Sequence, residues 1–384
     1  MNRRTLLKAI PAAATFAASA AAPRASIESV DIVSFQPRFY HAWPTMIRQR
    51  ATGHLLATYS GSREAHVCPF GRVEMVVSRD EGRTWSFPRV LMDTFIDDRD
   101  SGIVETGKGT LLVTTFTSLA YEKILAEANG QWDPARLERW KAVQRATTPE
   151  LRESLRGAWM LRSTDGGLSW GTPYRVPVTS PHGPIALANG RLLFPGKRYP
   201  QEGGEIGVCE SKDDGQTWTW AASIPSRDGD HHRDYHELHG VETGEPGRLI
   251  VHVRNHNKTN DRETLQSESL DNGRTWSKPR SIGVWGLPSH LLRLKDDRLM
   301  MTYSYRRSPR GNHARISEDH GRTWSEPIVL SSDGIGDLGY PSTVQLEGGG
   351  LVTLWYEARI SGETGTNAGG HPMAVLRQAR WALL

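Results

Sequence analysis

Several strand-like apolar runs in the sequence end in arginine, a side chain suited to binding anions. Arg198 follows the run at residues 192–197, Arg254 follows residues 249–253, and Arg306 follows residues 299–305. A guanidinium group is planar and can hold a carboxylate through two parallel hydrogen bonds. If the fold brings these arginines together, they would bind an anionic ligand such as a carboxylated sugar.

Acidic, phenolic and imidazole side chains stand at the beginning of other apolar runs. The set comprises His41, Asp100 with its neighbour Arg99, His182, Glu237, His290 and Tyr340. His182 in Ser-Pro-His-Gly-Pro and His290 in Pro-Ser-His-Leu-Leu occupy equivalent places. Because imidazole is suited to proton transfer at neutral pH, either histidine could serve as an acid or a base. An architecture that gathers the starts and the ends of these runs would create a polar site.

A repeated octapeptide indicates which elements position these residues. The pattern Ser-x-Asp-x-Gly-x-Thr/Ser-Trp occurs at residues 78–85, 163–170, 211–218, 269–276 and 317–324. Its Asp can accept hydrogen bonds from backbone N–H groups further along a turn, and its Gly can adopt a positive φ. Its Trp can bury a large ring between strands. The octapeptide therefore predicts a β-hairpin turn, and we interpret its aspartates as structural.

A second repeat predicts the number of blades. A turn residue followed by apolar residues recurs at Gly53, Gly109, Gly190, Gly247, Asp297 and Gly350, each time after a short apolar run. Each copy predicts a hairpin, and four-stranded units at this spacing are typical of a propeller. We therefore predict an all-β, six-bladed β-propeller over residues 25–384. In this fold the starts of the first strands and the ends of the second strands meet in one funnel around the axis.

The longest interval between these copies contains a helical pattern. In residues 120–156, apolar residues recur at helical spacing among many charges, namely Leu125, Leu137, Trp140, Val143 and Leu151. The pattern predicts one or two amphipathic helices inserted in a blade loop. They would form either a lid over the funnel or an insertion on the protein surface away from it.

The octapeptide resembles the Asp-box of the sialidase (neuraminidase) superfamily, over about residues 35–384. The resemblance implies six blades, with each box between the third and fourth strands of a blade and away from the active site. It also implies a Tyr nucleophile assisted by a Glu, three arginines on the substrate carboxylate and an Asp general acid/base. On this pattern Tyr340 would be the nucleophile, Glu237 and Arg254 the Glu and Arg pair, and Arg306 or Arg310 the third arginine. Since a phenol has a pKa near 10, it needs such a carboxylate to react at neutral pH.

Two positions differ from the sialidase pattern. The first arginine is missing, because the family's Arg-Ile-Pro is here Ala42-Trp43-Pro44, and the loop that should hold the catalytic Asp offers only Glu64 or His66. The resemblance implies an exo-glycosidase that hydrolyses terminal anionic sugars, such as sialic acid, without a metal or other cofactor. The alternatives are a uronate-directed polysaccharide lyase, which could use His182 or His290, and a non-catalytic carbohydrate-binding propeller.

The first 24 residues are typical of an export signal. Arg3 and Arg4 precede an alanine-rich segment with Ala-x-Ala cleavage choices near residues 18–22. We predict a Tat-like signal peptide, no membrane anchor and a periplasmic or secreted protein. Residues 1–24 contain four basic and no acidic residues, so the rest of the chain is formally neutral. This balance argues against nucleic acid as a partner and leaves a glycan as the expected one, with the oligomeric state open.

Overall fold

The strands form six antiparallel sheets, one for each predicted blade. The computed structural model describes residues 23–34, 36, 39–128, 132–199, 204–359 and 373–384. The prediction of an all-β, six-bladed propeller is confirmed. From the axis outward, strand order within a blade follows chain order, and β1 (Ala25–Ser34) is the outer strand of the last blade.

The strand bounds are as follows. Blade 1 contains β2 (Tyr40–Arg48), β3 (Leu55–Arg63), β4 (Arg72–Ser78) and β5 (Arg89–Met92). Blade 2 contains β6 (Asp97–Glu105), β7 (Leu111–Ser118), β8 (Gly157–Ser163) and β9 (Tyr174–Arg175). Blade 3 contains β10 (Val178–Thr179), β11 (Ile185–Ala186), β12 (Leu192–Arg198), β13 (Ile206–Ser211) and β14 (Thr219–Ser223). Blade 4 contains β15 (Tyr235–Glu242), β16 (Leu249–Asn255), β17 (Glu263–Ser269) and β18 (Arg280–Trp285). Blade 5 contains β19 (Ser289–Arg293), β20 (Leu299–Tyr305), β21 (Gly311–Ser317) and β22 (Ile328–Val329). Blade 6 contains β23 (Leu338–Gln345), β24 (Leu351–Arg359) and β25 (Met373–Leu383).

The ring is closed by pairing the two ends of the propeller chain. β1 runs antiparallel to β25, with Ala25 opposite Leu383 and Ile32 opposite Arg377. The strand that precedes blade 1 thus completes blade 6. This pairing ties the first and last blades together through backbone hydrogen bonds.

Each octapeptide forms the turn between the third and fourth strands of blades 1 to 5. In the first copy, Asp80 accepts hydrogen bonds from Thr84 N at 2.8 Å, Thr84 Oγ1 at 2.6 Å and Ser78 Oγ at 2.8 Å. Gly82 has a φ of 83°, which favours glycine. Trp85 Nε1 donates to Gln378 of blade 6 at 3.0 Å. The turn therefore closes a hairpin, and its Trp joins neighbouring blades.

The helical insertion lies between β7 and β8 and contains three short helices rather than one or two. They are α1 (Ala120–Ala126), α2 (Pro134–Arg145) and α3 (Pro149–Leu155). The extra boundaries arise because Pro134 and Pro149 each begin a helix and the preceding Asp133 and Thr148 cap it. Trp140 of α2 is buried beside the loop that follows β3. The insertion is thus a buttress for that loop, at the funnel end of blades 1 and 2.

The two cysteines are buried and free. Cys68 packs in the core beneath the helical insertion, and Cys209 lies in β13.

Two features bear on the predicted export signal and membrane anchor. Residues 1–22 of the predicted signal peptide lie outside the described residues. Within the described ranges, no helix is both long and apolar enough to cross a bilayer.

Candidate active site

The inner strands of four blades are interrupted by β-bulges at the funnel end. The pairing register shifts around Trp43 in β2, Asp100 in β6, Glu237 in β15 and Tyr340 in β23. Trp43, Asp100 and Tyr340 also have positive φ values of 56°, 36° and 54°. Positive φ is unfavourable for residues with a Cβ, and such strain is concentrated at functional sites. A bulge changes the direction of a side chain, and here the bulged residues belong to one cluster around the axis.

Tyr340, Glu237 and Arg254 form a hydrogen-bonded triad at the centre of this cluster. The Tyr340 hydroxyl donates to Glu237 Oε1 at 2.5 Å. Arg254 Nη1 donates to Glu237 Oε2 at 2.5 Å and to the Tyr340 hydroxyl at 3.0 Å. Arg254 is held from its other side by His256, whose Nε2 accepts from Arg254 Nε at 2.9 Å. The sequence-based grouping of these three residues therefore corresponds to direct contacts.

The electrostatics of the triad favour an ionised carboxylate beside a neutral phenol. Burial and then the charge of Glu237 raise the pKa of Tyr340 well above its ordinary value, although Arg254 opposes this. Burial alone would raise the pKa of Glu237, but Arg254 and the hydrogen bond from Tyr340 hold it below the usual range. Glu237 can therefore accept the phenolic proton only as the phenolic oxygen forms another bond.

Asp100 lies beside the triad as a nearly enclosed carboxyl group. Its exposed fraction is 7%. Burial raises the pKa of Asp100 to about 7, Arg99 opposes the shift, and the charge of Glu237 adds to it. Asp100 can therefore carry a proton near neutral pH, which a solvated aspartate does not.

An aromatic side chain occupies the place of the missing first arginine. The Trp43 ring lies 6.4 Å from the Tyr340 ring, between centroids. The Arg63 and Arg99 guanidinium groups lie over it at 4.8 and 4.4 Å. Both arginines are also paired with Asp97, at 2.7 and 3.3 Å. Their charges are thus already compensated by an acid and an aromatic face.

His66 and Asp337 form a second polar pair at the mouth of the funnel. His66 Nδ1 lies 3.0 Å from Asp337 Oδ2 and 3.2 Å from the Tyr40 hydroxyl. Asp337 also accepts from Tyr40 at 2.8 Å and from Tyr356 at 2.9 Å. Asp337 is a site residue that the sequence did not predict. Its place at the entry to β23, three residues before Tyr340, is the signal that could have found it.

Of the two candidates for the third arginine, Arg306 lies closer to the cluster. Arg306 Nε donates to the Leu338 carbonyl at 3.1 Å, and its Nη2 lies 3.7 Å from Asp337 Oδ1. Arg310 instead donates to the Gly336 carbonyl at 2.6 Å, in the loop before β23. Arg306 therefore borders the strand that carries Tyr340, and Arg310 lies further out.

Three of the candidate residues serve other parts of the fold. Glu64 binds the helical insertion, accepting from Arg139 Nε at 2.8 Å and from Trp140 Nε1 at 3.0 Å. His41 is fully buried in blade 1, where its Nδ1 lies 3.3 Å from Ser34 Oγ and its ring packs 5.3 Å from the Tyr59 ring. Arg198 covers the Trp220 ring at 3.9 Å on the outer part of blade 3.

His182 and His290 lie on the axis beneath the triad, together with His239. The His182 ring is 5.1 Å from His290 and 5.2 Å from His239, and 6.5 Å from Tyr340. Burial lowers the pKa of all three, that of His290 to about 3, so they are neutral at physiological pH. His239 was not predicted from the sequence, although it lies two residues after Glu237 on the same strand. These imidazoles form the wall between the funnel and a cavity of about 670 Å³ in the opposite half of the axis.

Solved structures share this architecture over most of the chain. A protein of unknown function from Dyadobacter fermentans superposes with a TM-score of 0.73 at 21% identity, covering 94% of this chain and 99% of its own. The NanB sialidase from Streptococcus pneumoniae gives 0.64 at 15% identity, covering 92% of this chain and 70% of its own. The intramolecular trans-sialidase from Ruminococcus gnavus gives 0.59 at 14% identity, covering 90% and 94%. At these identities the likeness establishes the fold alone.

The family comparison rests on sequence. No curated protein sequence matches the chain significantly. The family model described as "BNR repeat-like domain" matches residues 140–353, which is more than half of the chain. Together with the five octapeptide turns and the six blades, this match shows that the chain belongs to the BNR repeat-like family of the sialidase superfamily.

Proposed function

We propose that this protein is an exported, retaining exo-glycosidase that hydrolyses terminal anionic sugars, such as sialic acid, from glycans. The observation that carries the proposal is the triad, in which the Tyr340 hydroxyl lies 2.5 Å from Glu237 and 3.0 Å from Arg254. A phenol paired with an ionised carboxylate is the arrangement of an activated nucleophile. A carbohydrate-binding module would not need that pairing.

The triad supports a two-step mechanism. The Tyr340 oxygen attacks the anomeric carbon while its proton passes to Glu237 Oε1, and the bond to the leaving oxygen breaks. Water then attacks the same carbon and gives up one proton, which balances the proton that the leaving oxygen takes up in the first step. The phenolate leaves and recovers its proton from Glu237. Two inversions at one carbon give overall retention. Arg254 stabilises the charge on Glu237 and on the developing phenolate.

The choice of an anionic sugar rests on the nucleophile and its neighbours. A neutral phenol approaches an anomeric centre next to a carboxylate without the repulsion that an aspartate or glutamate would meet. The side chains of Arg254 and Arg306 are 17% and 26% exposed, so neither is completely enclosed by the protein. They are the groups that would bind a substrate carboxylate.

The proposal is tested with aryl glycosides. The panel contains methylumbelliferyl glycosides of sialic acid, a 2-keto-3-deoxy sugar acid, glucuronic acid and galactose. We expect turnover of an anionic member and little turnover of galactoside, with NMR showing a first-formed product of retained configuration. A fluorinated analogue of the cleaved sugar should label Tyr340 in a peptide map. An inverted product, an unsaturated product or turnover of no glycoside would contradict the proposal.

Export through the twin-arginine route is a separate part of the proposal, supported by Arg3 and Arg4 ahead of the alanine-rich segment. In a host with the twin-arginine translocase, the Arg3→Lys/Arg4→Lys precursor should stay in the cytoplasm. The unaltered chain should be processed and periplasmic. If the lysine variant is still processed and periplasmic, this route is wrong.

A further inference from the structure

A retaining glycosidase needs a proton donor for the leaving oxygen in addition to its nucleophile. The same group must later take a proton from the attacking water, so it has to exchange protons with solvent. Asp100, Asp337 and His66 lie near the triad and take no part in its hydrogen bonds, whereas His256 Nε2 already accepts from Arg254 Nε and His182 is only 2% exposed. Their exposures and contacts differ enough to separate them.

The two carboxyl groups are poorly placed for this role. Asp100 is only 7% exposed, and the charges that act on it include those of Glu237 and Arg254. Asp337 is ionised, because it accepts hydrogen bonds from Tyr40 and Tyr356 and lies beside His66 and Arg306. An ionised carboxylate has no proton to donate to a leaving group.

His66 has the solvent access and the hydrogen-bond partner that the role requires. Its side chain is 51% exposed. Asp337 holds Nδ1 at 3.0 Å, which favours a proton on that nitrogen and leaves Nε2 for the reaction. The His66 ring lies 5.1 Å from Trp43, and the same indole is 6.4 Å from Tyr340, so one residue separates the imidazole from the nucleophile.

The backbone of His66 is clamped from several directions. Its carbonyl accepts from Arg63 Nη2 at 3.0 Å and from Arg99 Nη1 at 3.1 Å. Arg63 is itself fully buried and paired with Asp97. Two residues earlier, Glu64 fastens the loop to α2. A loop fixed in this way preorganises the side chain it carries.

We propose that His66 is the general acid and base of the reaction proposed above, and that Asp337 is its positioning residue. In the first step, the imidazolium Nε2 gives its proton to the leaving oxygen as the bond from that oxygen to the anomeric carbon breaks. In the second step, Nε2 takes the proton of the attacking water as the Tyr340–carbon bond breaks. The imidazolium is thereby restored, and the proton that Glu237 holds returns to Tyr340.

The test compares leaving groups in the His66→Gln variant. Nitrophenolate leaves without protonation, whereas an alkoxide does not. For an alkyl glycoside of the sugar cleaved, kcat/KM should fall about 10²–10⁴-fold. For the nitrophenyl glycoside it should fall far less. Azide, which needs no base to attack, should accelerate turnover of the nitrophenyl substrate and give a glycosyl azide.

Glu64→Gln is the matched control, because it alters the anchoring of the same loop without touching the imidazole. It should change the rates of the two substrates by the same factor. A His66→Gln variant that loses both rates equally and is not rescued by azide would overturn the inference. If Tyr340 is still labelled in that case, the proposed function stands. A wild type that cleaves no glycoside refutes both.

Asp337→Asn supplies a readout that a purely structural role would not give. Partial desolvation of the half-exposed ring and the charge of Arg99 lower the pKa of His66, and Asp337 opposes them. Arg63 and the Tyr40 hydroxyl are the other neighbours of the ring. The acid form is therefore lost as pH rises through a value below the ordinary 6.5. Removal of the Asp337 charge should move this alkaline limb of kcat/KM to lower pH. An unmoved limb would contradict the positioning role.

Discussion

The two ends of the same blades are built on opposite principles. At the octapeptide end, five turns repeat one set of contacts, as in the Ser Oγ–Asp bonds of 2.8 Å at Asp80 and 2.7 Å at Asp271. At the funnel end, the equivalent first-strand positions of blades 1, 2, 4 and 6 hold Trp43, Asp100, Glu237 and Tyr340. The repeated end stabilises the ring, and the end at which every blade differs forms the site. In this propeller the residues that repeat from blade to blade have a structural role, and the candidate catalytic residues lie where the blades differ.

The carboxyl groups at the two ends show the same contrast. Hydrogen bonds from Thr84 lower the pKa of Asp80 to about 2, with the carboxylate in solvent. Burial raises the pKa of Asp100 to about 7. One chemical group thus serves as a permanent turn acceptor at one end and as a proton-holding group at the other.

Removal of the nucleophilic oxygen should give the largest effect at the funnel end. Tyr340→Phe keeps the ring packing against Trp43 and Tyr356, so binding and melting temperature should be preserved. Turnover should fall by roughly 10³-fold or more. Glu237→Gln should be similarly damaging, and the double variant should be little worse than either single variant.

Steady-state kinetics of the two single variants and the double variant check this prediction. Near-normal turnover by Tyr340→Phe, together with loss of turnover in His182→Ala or His290→Ala, would contradict it. The buried histidines would then be the reacting groups.

Substitution of Arg254 should give the next largest effect, on binding of the anionic sugar. Arg254→Ala in a Tyr340→Phe background should weaken binding by about 2–5 kcal/mol if the pair with the substrate carboxylate is desolvated. Arg198→Ala is the control, because Arg198 lies at the end of β12 in blade 3 as Arg254 lies next to the end of β16 in blade 4, yet Arg198 covers Trp220. Calorimetric titration with the cleaved sugar measures both. Equal weakening by the two variants would mean that Arg254 contributes no more to sugar binding than Arg198 does.

The sequence predicted the repeated end more completely than the funnel end. Five octapeptides and six hairpins suffice for the blades, because each is a local pattern with its own turn chemistry. The triad was also found, since its residues lie at the ends of the predicted hairpins. Asp337 and His239 were missed, and His41 and Arg198 do not reach the site. Packing of His41 against Tyr59 and stacking of Arg198 on Trp220 decide two of these cases, and such contacts between separate strands cannot be read from spacing along the chain.

The pH dependence of stability should have opposite signs at the two ends. The folded pKa of Asp100 is raised to about 7, so the folded chain binds the extra proton. Its stabilising contribution is complete below the unfolded value near 4 and is lost as pH rises to about 7. The melting temperature of Asp100→Asn minus that of the wild type should therefore increase as pH rises from 5 to 8, by at most a few degrees.

Asp80→Asn is the control from the octapeptide end. The folded pKa of Asp80 is lowered to about 2, so its contribution is present above the unfolded value and is lost as pH falls from about 4 to 2. Between pH 5 and 8 the difference between Asp80→Asn and wild type should stay constant. The prediction would be contradicted if the difference in melting temperature from wild type varied with pH for Asp80→Asn in this range. It would also be contradicted if the difference stayed constant for Asp100→Asn.

Loss of a single octapeptide aspartate should have the smallest effect. Asp271 accepts from Ser269 Oγ at 2.7 Å, Thr275 N at 2.9 Å and Thr275 Oγ1 at 2.6 Å, and it closes the turn between β17 and β18. Asp271→Ala should cost about 1–2 kcal/mol of unfolding free energy, as the loss of a capping acceptor does. Turnover per folded molecule should be unchanged, because this turn lies at the opposite end of blade 4 from Glu237 and Arg254. Denaturant unfolding and kinetics on the same preparation measure the two quantities together. A variant that melts as the wild type does but loses turnover would contradict this prediction. It would mean that Asp271 takes part in the reaction, whereas its hydrogen bonds indicate a structural role only.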